Sequence, residues 1–242
     1  MKLLERVKSF LRPAPELPYV RHRREIAARF LRGRGLEIGA LHAPLETPPG
    51  CRVTYVDRLP AAELRKQYPE LDAQELVAVD VIDDGERLEK FPAGSQDFVI
   101  ANHFLEHAQD PIGTLEAHLR VLAPGGVLYL AVPNRHETPD RRRPPTTWKH
   151  LVRDHVEGPA WSYEGHLREY AELVDGCRGP ALDERVRYLR AVNYSIHFHV
   201  WTQEGLAEFL LDVRRRLALP FDVEAVVLNR VFLESVCVLR KV

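Results

Sequence analysis

The chain has 242 residues, 45% hydrophobic and 29% charged, with a formal net charge of -1. That length suits one α/β domain with a modest insertion and excludes two full enzyme domains, and the near-neutral balance speaks against a dedicated nucleic-acid binder. No run of eighteen apolar residues exists to span a bilayer, no signal-peptide pattern follows Met1, and Cys51, Cys177 and Cys237 form no CxxC pair, so a soluble, cytoplasmic protein without disulfides or a cysteine metal site is expected.

Leu3, Leu4, Val7, Phe10 and Leu11 fall at helical spacing among Lys2, Arg6 and Lys8. This is an amphipathic helix that either packs on its own domain or touches a membrane surface or partner. A second helix is predicted over 21–31, stopped by Gly33 and Gly35, and residues 1–33 form an N-terminal helical segment. From residue 34 strands and helices alternate: strands at 36–38, 52–56, 76–79, 97–101 and 127–132, and helices over 61–68 and from Asp110-Pro111, where a capping residue precedes proline at the first helical position. Ala123-Pro124-Gly125-Gly126 reads as a turn. Residues 134–193, with Arg141-Arg142-Arg143-Pro144-Pro145 and many His, Trp and Tyr residues, are a largely helical insertion after the fifth strand. A helix over 203–211 and a terminal hairpin, 223–228 with 233–239, complete residues 34–242. The expected fold is α/β: a Rossmann-like, seven-stranded, mostly parallel sheet with helices on both faces.

In such a sheet ligands bind beyond the carboxyl ends of the strands, so the residues after each strand carry the chemistry. Those are Glu37 to His42, Asp57 with Arg58, Asp80 to Asp84, and Asn102 to His107. Gly39 allows close backbone approach, Asp57 suits two ribose hydroxyls, an acid among Asp80 to Asp83 suits an exocyclic adenine amine, and Ile82 suits a ring face.

LEIGA, TYVD, DVIDDG, FPAGSQDFVIANHFLEH and LRVLAPGGVLYLAVP, in this order, resemble the class I S-adenosylmethionine (SAM) dependent methyltransferases, especially the ubiquinone-biosynthesis-like branch. The EIGAL loop, PPG turn, basic proline-rich insertion and HFHVWT segment are also similar to a bacterial subgroup associated with sugar or polysaccharide modification. The resemblance implies that Glu37 and Gly39, with Ala40, hold the methionine part of SAM, and Asp57 with Arg58 the ribose. It further implies that Asp80, Ile82 and Asp83 flank the adenine, and Asn102 and His103 line the methyl-transfer face. Only Gly39 remains of the family's three alternating loop glycines, with Leu41 and Ala43 in the other places.

The expected reaction is O-methylation of a sugar, glycan or secondary-metabolite hydroxyl, which needs a base near neutrality. The candidates are His103, His107, His197 and His199, with His103 and His197 foremost. N- or carboxyl-methylation, a SAM-binding module without catalysis, and an NAD-dependent oxidoreductase are the alternatives. Arg141 to Arg143 form a solvated turn or an anion clamp, and Trp148, Trp161, Tyr163 and Tyr170 a lid core or a sugar platform. His150, Asp154, His155 and His166 offer ligand chemistry, but their spacing matches no zinc pattern and no metal is expected. A small-molecule or carbohydrate acceptor is the expected partner, no nucleic acid is, and a homodimer is compatible with the sequence. Abundant arginine and sparse lysine suit a GC-rich bacterial genome.

Overall fold

The computed structural model describes residues 18–71, 73–229 and 234–242; the helix expected around Leu3 to Leu11 lies outside them. In chain order the elements are α1 (Pro18–Phe30), β1 (Arg34–Ile38), β2 (Arg52–Asp57), α2 (Ala61–Gln67), β3 (Val81–Ile82), β4 (Gln96–Asn102), α3 (Pro111–Val121) and β5 (Leu122–Pro133). There follow α4 (Trp148–Glu157), α5 (Ala160–Leu173), α6 (Pro180–Ala191), α7 (Gln203–Arg216), β6 (Phe221–Asn229) and β7 (Glu234–Lys241). The seven strands form one sheet in the order β3-β2-β1-β4-β5-β7-β6. β1 to β5 run parallel, while β7 is antiparallel to both β5 and β6. Among the described residues no helix is long and apolar enough to cross a membrane.

Strand alternation sorts the core into two layers. Val99 and Ala101 of β4 with Leu128 and Leu130 of β5 face Ile112, Leu115 and Leu119 of α3 and Leu206 and Leu210 of α7. Phe98 and Ile100 with Tyr129 and Ala131 face Ile26 and Ala27 of α1. Burial on both faces explains why β4 and β5 read as continuous apolar runs. A smaller cluster joins Leu167 and Ala171 of α5, Leu182, Val186 and Leu189 of α6, and Ile196 and Phe198. The helices between β5 and α7 thus have their own core, roofed by the stretch that leads into α7.

Three expectations are corrected. The third strand is Val81–Ile82, not 76–79: Val77 N–H donates to Leu41 O (2.8 Å), so that run pairs with the loop after β1, and pairing with β2 begins only where Asp80 N–H reaches Tyr55 O. The turn at 123–126 is an irregularity inside β5, where Gln96 pairs with Leu122 but Phe98 with Val127 and Gly125 takes φ 78. Helix α7 runs five residues past Leu211, because Val213 continues its buried stripe and Arg214, Arg215 and Arg216 suit the negative end of the helix dipole.

Candidate functional site

The carboxyl ends of β1 to β4 open into a cavity of about 640 Å³, of the size that takes a small organic ligand. Ile38, Gly39 and Leu41 come from the β1 end, Asp57 and Arg58 from β2, Ile82 to Glu86 from β3, and His103, Phe104 and His107 from β4. Asn193, Tyr194, Ser195 and Phe198 wall the far side. Four carboxylates, Asp57, Asp83, Asp84 and Glu86, against Arg58 and Lys90 tilt the lining toward a cationic ligand.

Gly39 has φ 65, and a Cβ built there would meet only Phe104 Cδ2 at 3.9 Å, so the backbone faces open space. Gly85 differs: a Cβ would lie 2.6 Å from Ile38 Cγ2, so only glycine lets the loop after β3 close on β1. Asp57 Oδ1 accepts from Arg58 N–H (2.7 Å); burial raises the pKa of this carboxyl, while Arg58 opposes that. The Arg58 guanidinium reaches Tyr68 Oη at 3.3 Å and Asn193 O at 3.4 Å, tying the β2 end to the far wall. Ile82 is 45% exposed, an aliphatic face bare beside the cavity. Asp83 accepts from Asp84 N–H and Lys90 N–H, which fixes its carboxylate in the wall.

Four other expected cofactor contacts do not line this cavity. Asp80 precedes β3 and spends Oδ2 on Tyr55 N–H (2.8 Å), a consequence of where the strand begins. Ala40 lies in a tight turn, its carbonyl accepting from Ala43 N–H. Glu37 is buried; Oε1 accepts from Leu45 N–H (2.8 Å), Oε2 has no hydrogen-bond partner, and burial pushes its pKa up to about 8. It braces the 39–45 loop from beneath. Asn102 has both amide atoms buried without a partner.

The histidines divide by what holds them. His103 directly follows β4 at φ 49, and its Nε2 lies 2.8 Å from Glu234 Oε2. Glu234 is fully enclosed and also receives both Arg23 Nε (2.8 Å) and Nη2. Burial would raise its pKa, but Arg23 and His103 outweigh that and hold it at about 2. Ionised Glu234 accepts from Nε2–H, which sets the tautomer of His103 with the hydrogen on Nε2. Nδ1 in turn lies 3.8 Å from Oε1 of Glu106, a buried acid whose pKa burial raises.

His107 Nδ1 lies 2.9 Å from Ile196 O and 3.0 Å from Ser195 Oγ. A carbonyl only accepts, so Nδ1 carries the proton; burial and then His197 push the pKa down to about 3, and the ring is neutral. His197 Nδ1 is 2.6 Å from Asp140 Oδ2; burial lowers its pKa, but Asp140 and Glu106 more than reverse this and favour the imidazolium. Its ring does not line the cavity. His199 is a clearer correction: it is wholly enclosed, burial holds its pKa near 3, and its Nε2 faces Asp154 Oδ2 at 3.6 Å among the rings of His150 and His166, away from the cavity lining.

Arg143 is neither a solvated turn residue nor an anion clamp. It is 1% exposed and donates to Asp140, Glu169, His197 O and Phe198 O, while Arg141 and Arg142 are exposed. Trp148 packs on Phe209, and Tyr163 on Phe198, as lid core. His155 turns to Asp110 and Glu116 of the α3 side, apart from His150, Asp154 and His166. Sequence reasoning missed Glu234 and Arg23 and gave Glu106 no role within the Asn102 to His107 segment; the only local signal for Glu234 was a lone carboxylate opening the apolar run after Leu233.

The model of a family described as methyltransferase domain matches residues 16–212. Among solved structures, a Rhodobacter sphaeroides protein named as a zinc-dependent alcohol dehydrogenase is 17% identical, with 96% of this chain and 91% of that one covered and a TM-score of 0.56; this likeness is one of fold. A SAM-dependent methyltransferase from Aquifex aeolicus is 14% identical over 98% of both chains (TM-score 0.49), and one from Methanosarcina mazei 17% identical over 88% and 95% (TM-score 0.47). No curated protein matches the sequence.

Proposed function

The chain belongs to the methyltransferase-domain family and is a SAM-dependent transferase, and from that premise we propose that it methylates a hydroxyl of a sugar, glycan or related metabolite, with His103 as general base. The ubiquinone-biosynthesis-like branch, in its sugar-modifying subgroup, is the placement this reading favours. SAM supplies an electrophilic methyl group on a cationic sulfur. The cavity fits it: Gly39 leaves space for close approach, Asp57 offers a carboxylate to vicinal hydroxyls, Ile82 offers an apolar face, and the lining is acidic on balance. Glu37 serves the methionine end through the loop it braces, and Asp83 with Ile82 serves the base.

The observation that carries the hydroxyl reading is the Arg23–Glu234–His103 relay. An acceptor hydroxyl must lose its proton as the new C–O bond forms, and a nucleophile, a base and an orienting carboxylate are the parts that this requires. Glu234 fixes the tautomer of His103 and stabilises the imidazolium that results. Glu86, Gln109 and Ser195 supply hydrogen-bonding groups suited to a polyol. Phe104 and Phe198 help exclude water.

Two measurements test this. Calorimetric titration with S-adenosylhomocysteine should give micromolar binding, weakened about tenfold or more by Asp57→Ala, the loss of a charge-assisted hydrogen bond to ribose. Incubation with methyl-labelled SAM and panels of sugar, amine and carboxylate acceptors should label the hydroxyl compounds. Label confined to amines or carboxylates would overturn the acceptor assignment and leave the cofactor site standing.

A further inference from the structure

Outside the cavity, four side chains from three parts of the chain converge. His150 and Asp154 lie one turn apart on α4, His166 on α5 and His199 in the stretch before α7, and one ligand atom from each lies within 4.8 Å of all the others. His150 Nε2 is 3.0 Å from His166 Nε2 and 3.1 Å from Asp154 Oδ2, and His199 Nε2 is 3.6 Å from the same oxygen. Four ligands arranged tetrahedrally about an ion at roughly 2.0–2.1 Å are about 3.3 Å apart, and the observed spacings bracket that value.

Hydrogen bonding within the protein does not account for the arrangement. Asp154 Oδ1 is satisfied by Ser162 Oγ at 2.7 Å, but Oδ2, on a side chain with no exposure, makes no well-aligned hydrogen bond, although His150 Nε2 lies 3.1 Å and His199 Nε2 3.6 Å from it. His150 and His166 meet through two like nitrogens, which share one proton at most. His199 Nε2 has only a 3.4 Å approach to Gln109 O besides. A buried carboxylate oxygen held only by poorly aligned contacts costs stability, and a cation at the common point of the four groups satisfies it.

We propose that His150, Asp154, His166 and His199 form a closed tetrahedral site for one zinc-class divalent ion, a role outside methyl transfer. Three imidazoles and one carboxylate suit zinc and its neighbours, whereas calcium and magnesium require oxygen ligands. With all four positions filled by protein there is none for water or substrate, so the ion is structural. It fastens α4 and α5 to the stretch that carries Phe198 into the cavity wall, and Ser162 orients the carboxylate from outside. The set replaces the combination suggested by sequence spacing: His155 drops out and His199 enters from another part of the chain.

The test uses untagged protein purified without chelator. Elemental analysis should find about one zinc per chain; removal by a strong chelator should lower Tm, and added zinc should restore it. Cobalt(II) in place of zinc should give the intense visible bands of a tetrahedral site. His166→Ala and His199→Ala should each lose the ion, while His136→Ala, an exposed residue, should keep it. Should the alanine variants fail to fold, Asp154→Asn, which keeps the shape and the Ser162 partner, replaces them, and the cobalt spectrum of the unaltered protein stands alone. Wild-type protein that carries no ion and gives neither a tetrahedral cobalt spectrum nor a zinc-dependent Tm shift would overturn the proposal, as would the weak bands of octahedral cobalt.

Discussion

Six histidines fall into two groups of three that differ in what each ring faces. In the first group His103 and His107 line the cavity and His197 packs edge-on against His107, and each has a different partner: the Glu234 carboxylate, the Ile196 carbonyl and the Asp140 carboxylate. Their proton states diverge accordingly, since His107 is neutral while His197 favours the charged form. In the helical group His150, His166 and His199 face one another and share Asp154. Imidazoles given separate partners are set up to handle protons one at a time, whereas imidazoles aimed at one point are set up to bind a common cation.

The largest expected effect breaks the first group. His103→Gln removes the base and should lower kcat about 100-fold or more, within the usual range for general base catalysis, with little change in S-adenosylhomocysteine affinity. Glu234→Gln should lower kcat less and shift the acidic limb of the pH-rate profile, the side on which a general base is lost to protonation. Equal losses in kcat and cofactor affinity for His103→Gln would count against it as base. His166→Ala should act chiefly on Tm and metal content.

Arg143 joins the two groups, since it holds Asp140, the partner of His197, and the carbonyls of His197 and Phe198 just before His199. Arg143→Met leaves the enclosed Asp140 carboxylate and two carbonyls without this donor, a loss of about 3–5 kcal/mol by the usual cost of breaking a buried pair. Removal of the exposed Arg190–Glu164 pair should cost less than about 1 kcal/mol. Urea unfolding of both variants checks the ordering, and near-equal values would mean that Arg143 is not the link.

The next effect depends on pH. Burial raises Glu37 to about 8 from an ordinary 4.5. Below 4.5 the folded and unfolded chains both carry the proton. Between 4.5 and 8 the unfolded chain has released it while the folded chain retains it, so this group's contribution to stability falls as pH rises across that window. Glu37→Gln keeps the acceptor for Leu45 N–H and removes the titration. Its Tm should match the parent near pH 4 and exceed it by several degrees near pH 8; parallel curves would show that Glu37 is not the source.

Much of this was legible in the sequence, for stated reasons. β4 and β5 announce themselves because both faces are buried, and α3 because Asp110-Pro111 caps it, with Asp110 Oδ1 accepting from Gly113 N–H. Gly39, Asp57, Ile82, Asp83, His103 and His107 could be placed because each ends or follows a parallel strand and lines the cavity. Pairings between distant segments could not be read locally. Glu234 lies 131 residues from His103 and 211 from Arg23, and nothing in HFHVW tells which face of the chain His199 takes. The two-residue β3 was misplaced because the apolar run before it bonds to a loop instead of to a strand.

The smallest effect concerns the loop that has lost its family's glycines. Leu41 takes φ 49, a conformation that costs a side-chain-bearing residue roughly 1–2 kcal/mol and glycine almost nothing. Its carbonyl accepts from Val77 N–H, and the residue lines the cavity, so the loop keeps a glycine-like backbone around a leucine. Leu41→Ala loses the wall contact and keeps the strain, whereas Leu41→Gly loses the same contact and relieves it. Glycine should therefore give the higher Tm of the two, by about 2–4 °C per kcal/mol for a chain of this size. At an ordinary position the order is the reverse, with alanine ahead by roughly 0.5–1 kcal/mol. Both variants should bind S-adenosylhomocysteine more weakly than the parent, because the leucine wall is gone in each. Alanine melting above glycine would show that the 39–45 loop relaxes away from φ 49 in solution, and with it the support that Glu37 gives from beneath.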